Sequence, residues 1–333
     1  MVARIIRLLC RTFAVACLIA ASARADLSSD RPGKGGPPTK VAIGFYINDI
    51  HRINDVNETF QVDFYLNLKW KDPRLAGKDK QTTYKAENIW QPPINIINQI
   101  SVQSRSVDEL TVDPDGTVYY WERFLVQLTA HMNLARFPFD THPLAVMIEP
   151  FPYASDEVVF VIDSARTGWP KGFSVPDWKI RTIRANVSES FFAPEKAKYS
   201  RLICAITASR RYAYYVWKII IPLILIVIVS WSVFWISIKE IGTQLTVAVT
   251  AMLTVVAFHF LVSGDLPQIA YQTRLDRYIL ICYIIVFLAV LESVITHILD
   301  STERTNAARR VAQVSRLVFP VAFALSLALT LAL

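Results

Sequence analysis

The chain has 333 residues, room for two domains, of which 53% are hydrophobic, and a formal charge of +7. Arg4, Arg7, Arg11 and Arg24 sit in a leading segment without acids, so +7 less those four leaves +3 over the remainder. The remaining basic residues are scattered, and no nucleic-acid partner is expected. Cys10 and Cys17 also lie in that segment and Cys204 and Cys282 in unlike ones, which argues against a disulfide framework or a cysteine metal site.

Residues 1–25 have a secretory layout. Arginines precede and punctuate an apolar run ending in ACLIAAS, and Ala23-Arg24-Ala25 offers a small-x-small cleavage site. A signal peptide cut after Ala25 is expected, with an uncleaved anchor helix as the alternative. A short polar arm follows at residues 30–40.

Residues 41–211 read as β. In FQVDFYLNLKW, Phe60, Val62, Phe64, Leu66, Leu68 and Trp70 share one face, and Gln61, Asp63, Tyr65, Asn67 and Lys69 the other. VDPDGTVYYWERF places a Pro-Asp-Gly turn before an aromatic strand, a hairpin signal. PLAVMIEPF and YSRLICAITA are further strands. Many short strands without a long amphipathic helix predict an all-β, immunoglobulin-like sandwich over residues 26–211. Within it, ARFPFDTHPL sets apolar side chains and one carboxylate on a proline-stiffened knuckle. Such a loop is either a buried corner or a docking surface.

Enzyme signatures are missing: there is no phosphate loop, no HExxH and no nucleophile elbow. Neither a catalytic residue, a metal site nor a cofactor is expected.

Past residue 211 come apolar stretches at 219–238, 245–262, 278–298 and 317–333. Each matches a hydrocarbon core of roughly 30 Å at about 1.5 Å per residue. They predict an all-α transmembrane domain over residues 212–333, with spans at about 213–238, 243–262, 274–298 and 315–333. Export of the outer domain puts the linker with Arg304, Arg309, Arg310 and Arg316 inside, as the positive-inside rule expects. The first span carries Lys218 and Pro222 near its outer end.

The second span differs from its neighbours. Thr246, Thr250, Leu253, Ala257 and Phe260 recur at i, i+4, i+7, i+11 and i+14, within roughly 80° of one helix face. Threonines in membrane helices also bond to their own backbone or pack between helices. As a pore, hydroxyls would help a partly dehydrated ion, and rings of Leu253 and Phe260 could dewet and close the path. One helix cannot enclose a channel, so that reading requires a symmetric ring of subunits. Beyond it, SGDLPQIAYQTRLD forms a short loop on the same side as the β-domain, where the FPFD knuckle could press on it.

These segments together resemble the pentameric ligand-gated ion channels, the Cys-loop receptor superfamily, and most closely its bacterial members, amine-gated and proton-gated. The resemblance rests on WKDPRL, IWQPPI, DPDGTVYYWERF, FPFD, SRRYAYY, TAMLTVVAF and LPQIAYQT, in that order. The loop cysteines of the superfamily would fall at Ala130 and Leu144, and the linker near residues 299–315 is short. Both departures suit a bacterial protein of the inner membrane with its β-domain in the periplasm.

The resemblance implies a homopentamer in membrane lipid, passing monovalent ions in response to a small-molecule agonist. It implies a gating-coupling cluster of Asp55, Asp140 and Arg210, with Phe137, Pro138 and Pro267 at the contact between domains. It also implies an intersubunit pocket with Glu149, Phe151, Phe191, Phe192 and Tyr199 on one side and Tyr65 and Trp121 on the other. A carboxylate among aromatic rings suits an ammonium ligand, although Asn186 stands where the amine-gated member has an aromatic residue. Glu58 aligns with a carboxylate implicated in the proton-gated member, while Val255 replaces that channel's pore-helix histidine. Glu240 and Asp265 near the two pore mouths favour cations, but the linker before Thr246 has the length seen in anion-selective members. The competing classes are a non-conducting receptor, which would leave the threonine face unexplained, and a transporter, for which repeats or broken helices are missing.

Overall fold

Alternation along one strand builds the centre of the outer domain. In the computed structural model, which describes residues 30–104, 109–173, 175–263 and 269–332, β1 (Thr39–Asn54) pairs with β2 (Thr59–Lys71). Phe60, Val62, Phe64, Leu66, Leu68 and Trp70 of β2 are all buried, because successive side chains of a strand point to opposite faces. β3 (Thr82–Lys85), β5 (Gln99–Ser104), β6 (Glu109–Val112), β7 (Thr117–Thr129) and β9 (Val158–Ile162) complete this sheet, ordered β3-β6-β7-β2-β1-β9 with β5 on β7. The expected signal peptide, Asp265 and Pro267 lie outside the described residues.

The second sheet runs β10-β11-β8-β4: β10 (Trp178–Phe192), β11 (Ala197–Arg210), β8 (Thr141–Glu149) and β4 (Asn95–Ile96). Leu144, Val146, Leu202 and Ile206 from it join Phe45, Phe64 and Leu66 in one apolar core, which makes a β-sandwich. The Pro-Asp-Gly turn joins β6 to β7, with Gly116 at φ +81°. A side chain there would strike the Asp72 carbonyl as well as strain the backbone.

Four helices follow, long and apolar enough to cross a membrane: Ala213–Trp235, Ile241–Ser263, Arg274–Ser301 and Thr305–Ala332. Within the first, Val216–Ile220 is a π turn just ahead of Pro222, a residue that cannot donate and crowds the carbonyl four residues back. Thr273 and Asp276 cap the third reciprocally.

The fourth helix corrects the expected start near residue 315. It begins at Thr305, leaving only Thr302, Glu303 and Arg304 between helices. Its first turns are too polar for a hydropathy reading, yet Ala308, Ala312 and Ser315 are buried at i, i+4 and i+7, a helical stripe held by packing. The first helix also stops earlier than expected, at Trp235. There the chain must turn, and buried Gln244 reaches back to the carbonyls of Ile236 and Ser237, at 3.1 and 3.4 Å.

Candidate functional site

The knuckle of residues 137–140 is both a buried corner and a docking surface. Phe137 and Pro138 are buried, and Phe137 meets Tyr215 of the first span edge-on at 4.7 Å, while Phe139 lies 5.1 Å from Tyr212. The Leu134 N–H donates to the Tyr271 hydroxyl at 2.9 Å, and the Leu275 N–H donates to the Phe137 carbonyl at 3.3 Å. The β-domain therefore touches the first helix, the residues ahead of the third, and the third helix itself.

Behind this contact, Asp140, Arg210 and Asp55 come together. Arg210 ends β11, and its Nε and Nη2 donate to the two oxygens of Asp140 at 2.8 and 2.9 Å while Nη1 reaches Asp55 at 2.7 Å. The guanidinium is sandwiched between the rings of Phe137 and Trp178, at 4.6 and 4.3 Å from their centroids. His142 adds a fourth member, its Nε2 2.6 Å from Asp140. Burial pushes the Asp140 carboxyl upward, but hydrogen bonds from His142 and Arg210 and their charge outweigh it, holding the group at about 2.

At the opposite end of β8 a second group forms. Phe151 lies 5.6 Å from Tyr199 and 6.4 Å from Phe192, which in turn lies 6.4 Å from Tyr199. Phe191, on the other face of β10, is 64% exposed and outside this cluster. Glu149 is buried beside it, but not as a free carboxylate: Arg201 Nε donates to it at 2.6 Å, and the Ser190 hydroxyl donates to the same oxygen. An incoming ammonium must compete with that internal cation, a condition that residue type alone did not show.

Tyr65 and Trp121 form a separate group on the other sheet. Tyr65 pairs with Arg123 and Asn67 with Trp121, which sets both rings on one face, stacked at 5.3 Å with Trp121 61% exposed. Arg123 crosses the Tyr65 ring and binds Asp63 at 2.6 Å. The hydrogen bond from Arg123 holds the Asp63 carboxyl below its ordinary range against the cost of burial. Glu58 occupies the turn from β1 to β2 with φ +51°, half exposed, 3.8 Å from the exposed His131.

On the second span, Thr246, Thr250, Leu253, Ala257 and Phe260 are all exposed, and Gln244, Ala248, Ala251, Val255 and Val262 are buried on the opposite side. Thr246 donates to the Gly242 carbonyl at 2.7 Å, the local back-bond that threonines favour. No such bond is formed by the Thr250 hydroxyl among the described residues. Glu240 is exposed immediately before this helix, its carbonyl accepting from the Gln244 N–H at 3.1 Å.

Several participants escaped the sequence reading. His142 could have been found from its i+2 spacing to Asp140, which puts the two on one side of an extended chain. Arg201 follows from the pairing of Leu202 with Ile148, which sets it beside Glu149. Tyr212, Tyr215, Tyr271 and Trp178 carried no local signal beyond being aromatic residues near a membrane boundary.

A β-sandwich seated through a buried charge cluster on four spanning helices defines a multi-pass membrane protein of receptor architecture. Residues 27–212 match the neurotransmitter-gated ion-channel ligand binding domain, and residues 219–324 match the neurotransmitter-gated ion-channel transmembrane region. The chain belongs to that family, one of ligand-gated ion channels and not of enzymes. It is 31% identical over 306 residues to a proton-gated ion channel of Gloeobacter violaceus, covering 90% of this chain and 85% of that one. It is 30% identical over 277 residues to the gamma-aminobutyric acid receptor subunit beta-4 of Gallus gallus, covering 79% of this chain and 56% of that one. To the human rho-3 subunit it is 27% identical over 306 residues, covering 86% and 64%. It thus spans little more than half to two thirds of the two animal subunits.

Proposed function

We propose that five copies of this chain surround one pore, lined by Thr246, Thr250, Leu253, Ala257 and Phe260, in a bacterial inner membrane with the β-domain in the periplasm. The carrying observation is a contrast between exposed helix faces. That of the third span is apolar from Leu280 through Ile284, Phe287 and Leu291 to Ile295, as lipid requires, with His297 and Ser301 exposed only in its last turns. That of the second span carries Thr246 and Thr250 below Leu253 and Phe260, hydroxyls that gain from a water path and nothing from lipid.

A small molecule opens this pore in our reading, bound where Glu149, Phe151, Phe192 and Tyr199 of one subunit face Tyr65 and Trp121 of the next. The Glu149–Arg201 pair favours a ligand with both an ammonium and an anionic group, because a simple amine would have to displace a 2.6 Å internal ion pair. The γ-aminobutyric acid named for two of the relatives has that character. Cations are the permeant species, drawn by Glu240 at the cytoplasmic mouth with Asp265 outside. Proton gating is the second reading, supported by the name of the bacterial relative and by Glu58 beside His131.

Reconstitution in planar bilayers tests all of this. Unitary currents should appear on exposure to amines, amino acids or acid, reverse at the cation potential in asymmetric salt, and persist more readily in Leu253→Ala. Agonist binding without current under every condition would leave a non-conducting receptor instead.

A further inference from the structure

At the base of the β-domain, a cavity of about 490 Å³ is lined by Lys171, Lys179, Arg181, Arg184 and Arg211 together with Trp169 and Trp178. A β-bulge assembles it. Ile180 pairs with Ala208 and Thr182 with Thr207, so Arg181 is an extra residue in β10. In an unbroken strand Lys179 and Arg184 would point to opposite faces; the bulge turns both outward, and Arg181 joins them by donating to the Ser209 hydroxyl at 2.7 Å.

No carboxylate lines this cavity, and among the described residues none lies within ion-pair distance of any of the five cations. The contrast within the domain is sharp, since Arg74, Arg123, Arg201 and Arg210 each hold an acid at 2.6–2.8 Å. Five gathered like charges repel one another, and the arrangement is stabilised by an anion that they share. Its position narrows the class. Arg211 directly follows β11 and stands two residues before the first span at Ala213, at the depth where indole rings border a membrane.

We propose that this groove binds a phosphate-bearing anion at the outer membrane surface, with the basic side chains on the phosphate and the exposed Trp169 against the adjoining apolar part, Trp178 being buried beneath the groove against Arg210. Arginine forks and lysine point charges are the usual partners of phosphate oxygens. An anionic phospholipid headgroup and free phosphate present the same group, and the experiment separates them. The site does not depend on the channel reading, since its test needs no current.

The full chain is purified in neutral detergent, and native mass spectrometry counts retained phosphatidylglycerol against phosphatidylcholine. In parallel, tryptophan fluorescence is titrated with inorganic phosphate against chloride at equal ionic strength. The exposed triple variant Lys171→Gln, Lys179→Gln, Arg184→Gln should lose affinity roughly a hundredfold, as three surface charges would predict, and Arg184→Gln alone about fivefold. Preferential phosphatidylglycerol retention that these variants abolish identifies a headgroup. A saturable phosphate response that they abolish, without lipid preference, identifies a soluble anion. No preference in the wild-type chain, or wild-type behaviour of both variants, overturns the site.

Discussion

Strands β8 and β11 carry an arginine–carboxylate pair near each end, and the two ends are built differently. At the membrane end, the Arg210 and Asp140 side chains are 3% and 1% exposed, roofed by two aromatic rings and joined by His142 and Asp55. At the far end, Arg201 is 26% and Glu149 6% exposed, and among the described residues the Glu149 carboxylate has one further partner, Ser190. An arginine and a carboxylate therefore make a fixed joint in one place and a pair whose arginine is open to solvent in the other. Under the function proposed above, the upper pair is the one with which a ligand would compete, and the more deeply buried Arg210–Asp140 pair is the one that would pass movement of the strands to the helices.

Removing the lower cation is the strongest way to break this contrast. Arg210→Gln leaves Asp140 and Asp55 without their guanidinium in a buried site, and stability should fall by about 3–5 kcal/mol. Thermal unfolding of the detergent-solubilised protein reads it, and a loss below about 1 kcal/mol would mean that the site is wetter than its packing indicates. Because Phe137 and Trp178 also lose a stacked cation, Arg210→Lys should recover only part of the loss.

At the upper pair the same change costs less. Arg201→Gln should destabilise by about 1–2 kcal/mol, since Glu149 keeps the Ser190 hydroxyl and water reaches the site. Its sharper consequence concerns ligand choice. Without the internal cation, simple amines should gain affinity relative to amino acids, measured by competition binding. An unchanged ranking would detach Arg201 from the ligand and return the carboxylate to a structural role.

These differences explain what could be read from the chain itself. The buried face of β2 and the exposed face of the second span were legible because each repeats with the period of its own element. Asp140, Arg210 and Asp55 were legible only through resemblance, for 70 residues separate the first two and no local pattern joins them. Arg201 and Glu149 are 52 residues apart, and their pairing needed the register of β8 on β11. The early start of the fourth helix was hidden because its first turns are polar and helical through contacts with other helices. The bulge at Arg181 was equally hidden, since strand alternation counts every residue and a bulge skips one.

Acid should distinguish the joint from any proton sensor. Asp140 titrates at about 2 when folded against an ordinary 3.8. A depressed carboxyl contributes its stability above the unfolded value and loses it as pH falls through the folded one. The stability gap between the wild type and Asp140→Asn should therefore stay level from about pH 7 to about pH 5, and shrink only as pH drops below about 4. Unfolding curves across that range check it, and a gap that narrows already near pH 6 would show that the carboxyl is not held down. Currents evoked at about pH 5 would then arise with the lower joint still charged. In that case Glu58→Gln or His131→Gln, at the exposed β1–β2 turn, should move the midpoint of activation while leaving unfolding unchanged.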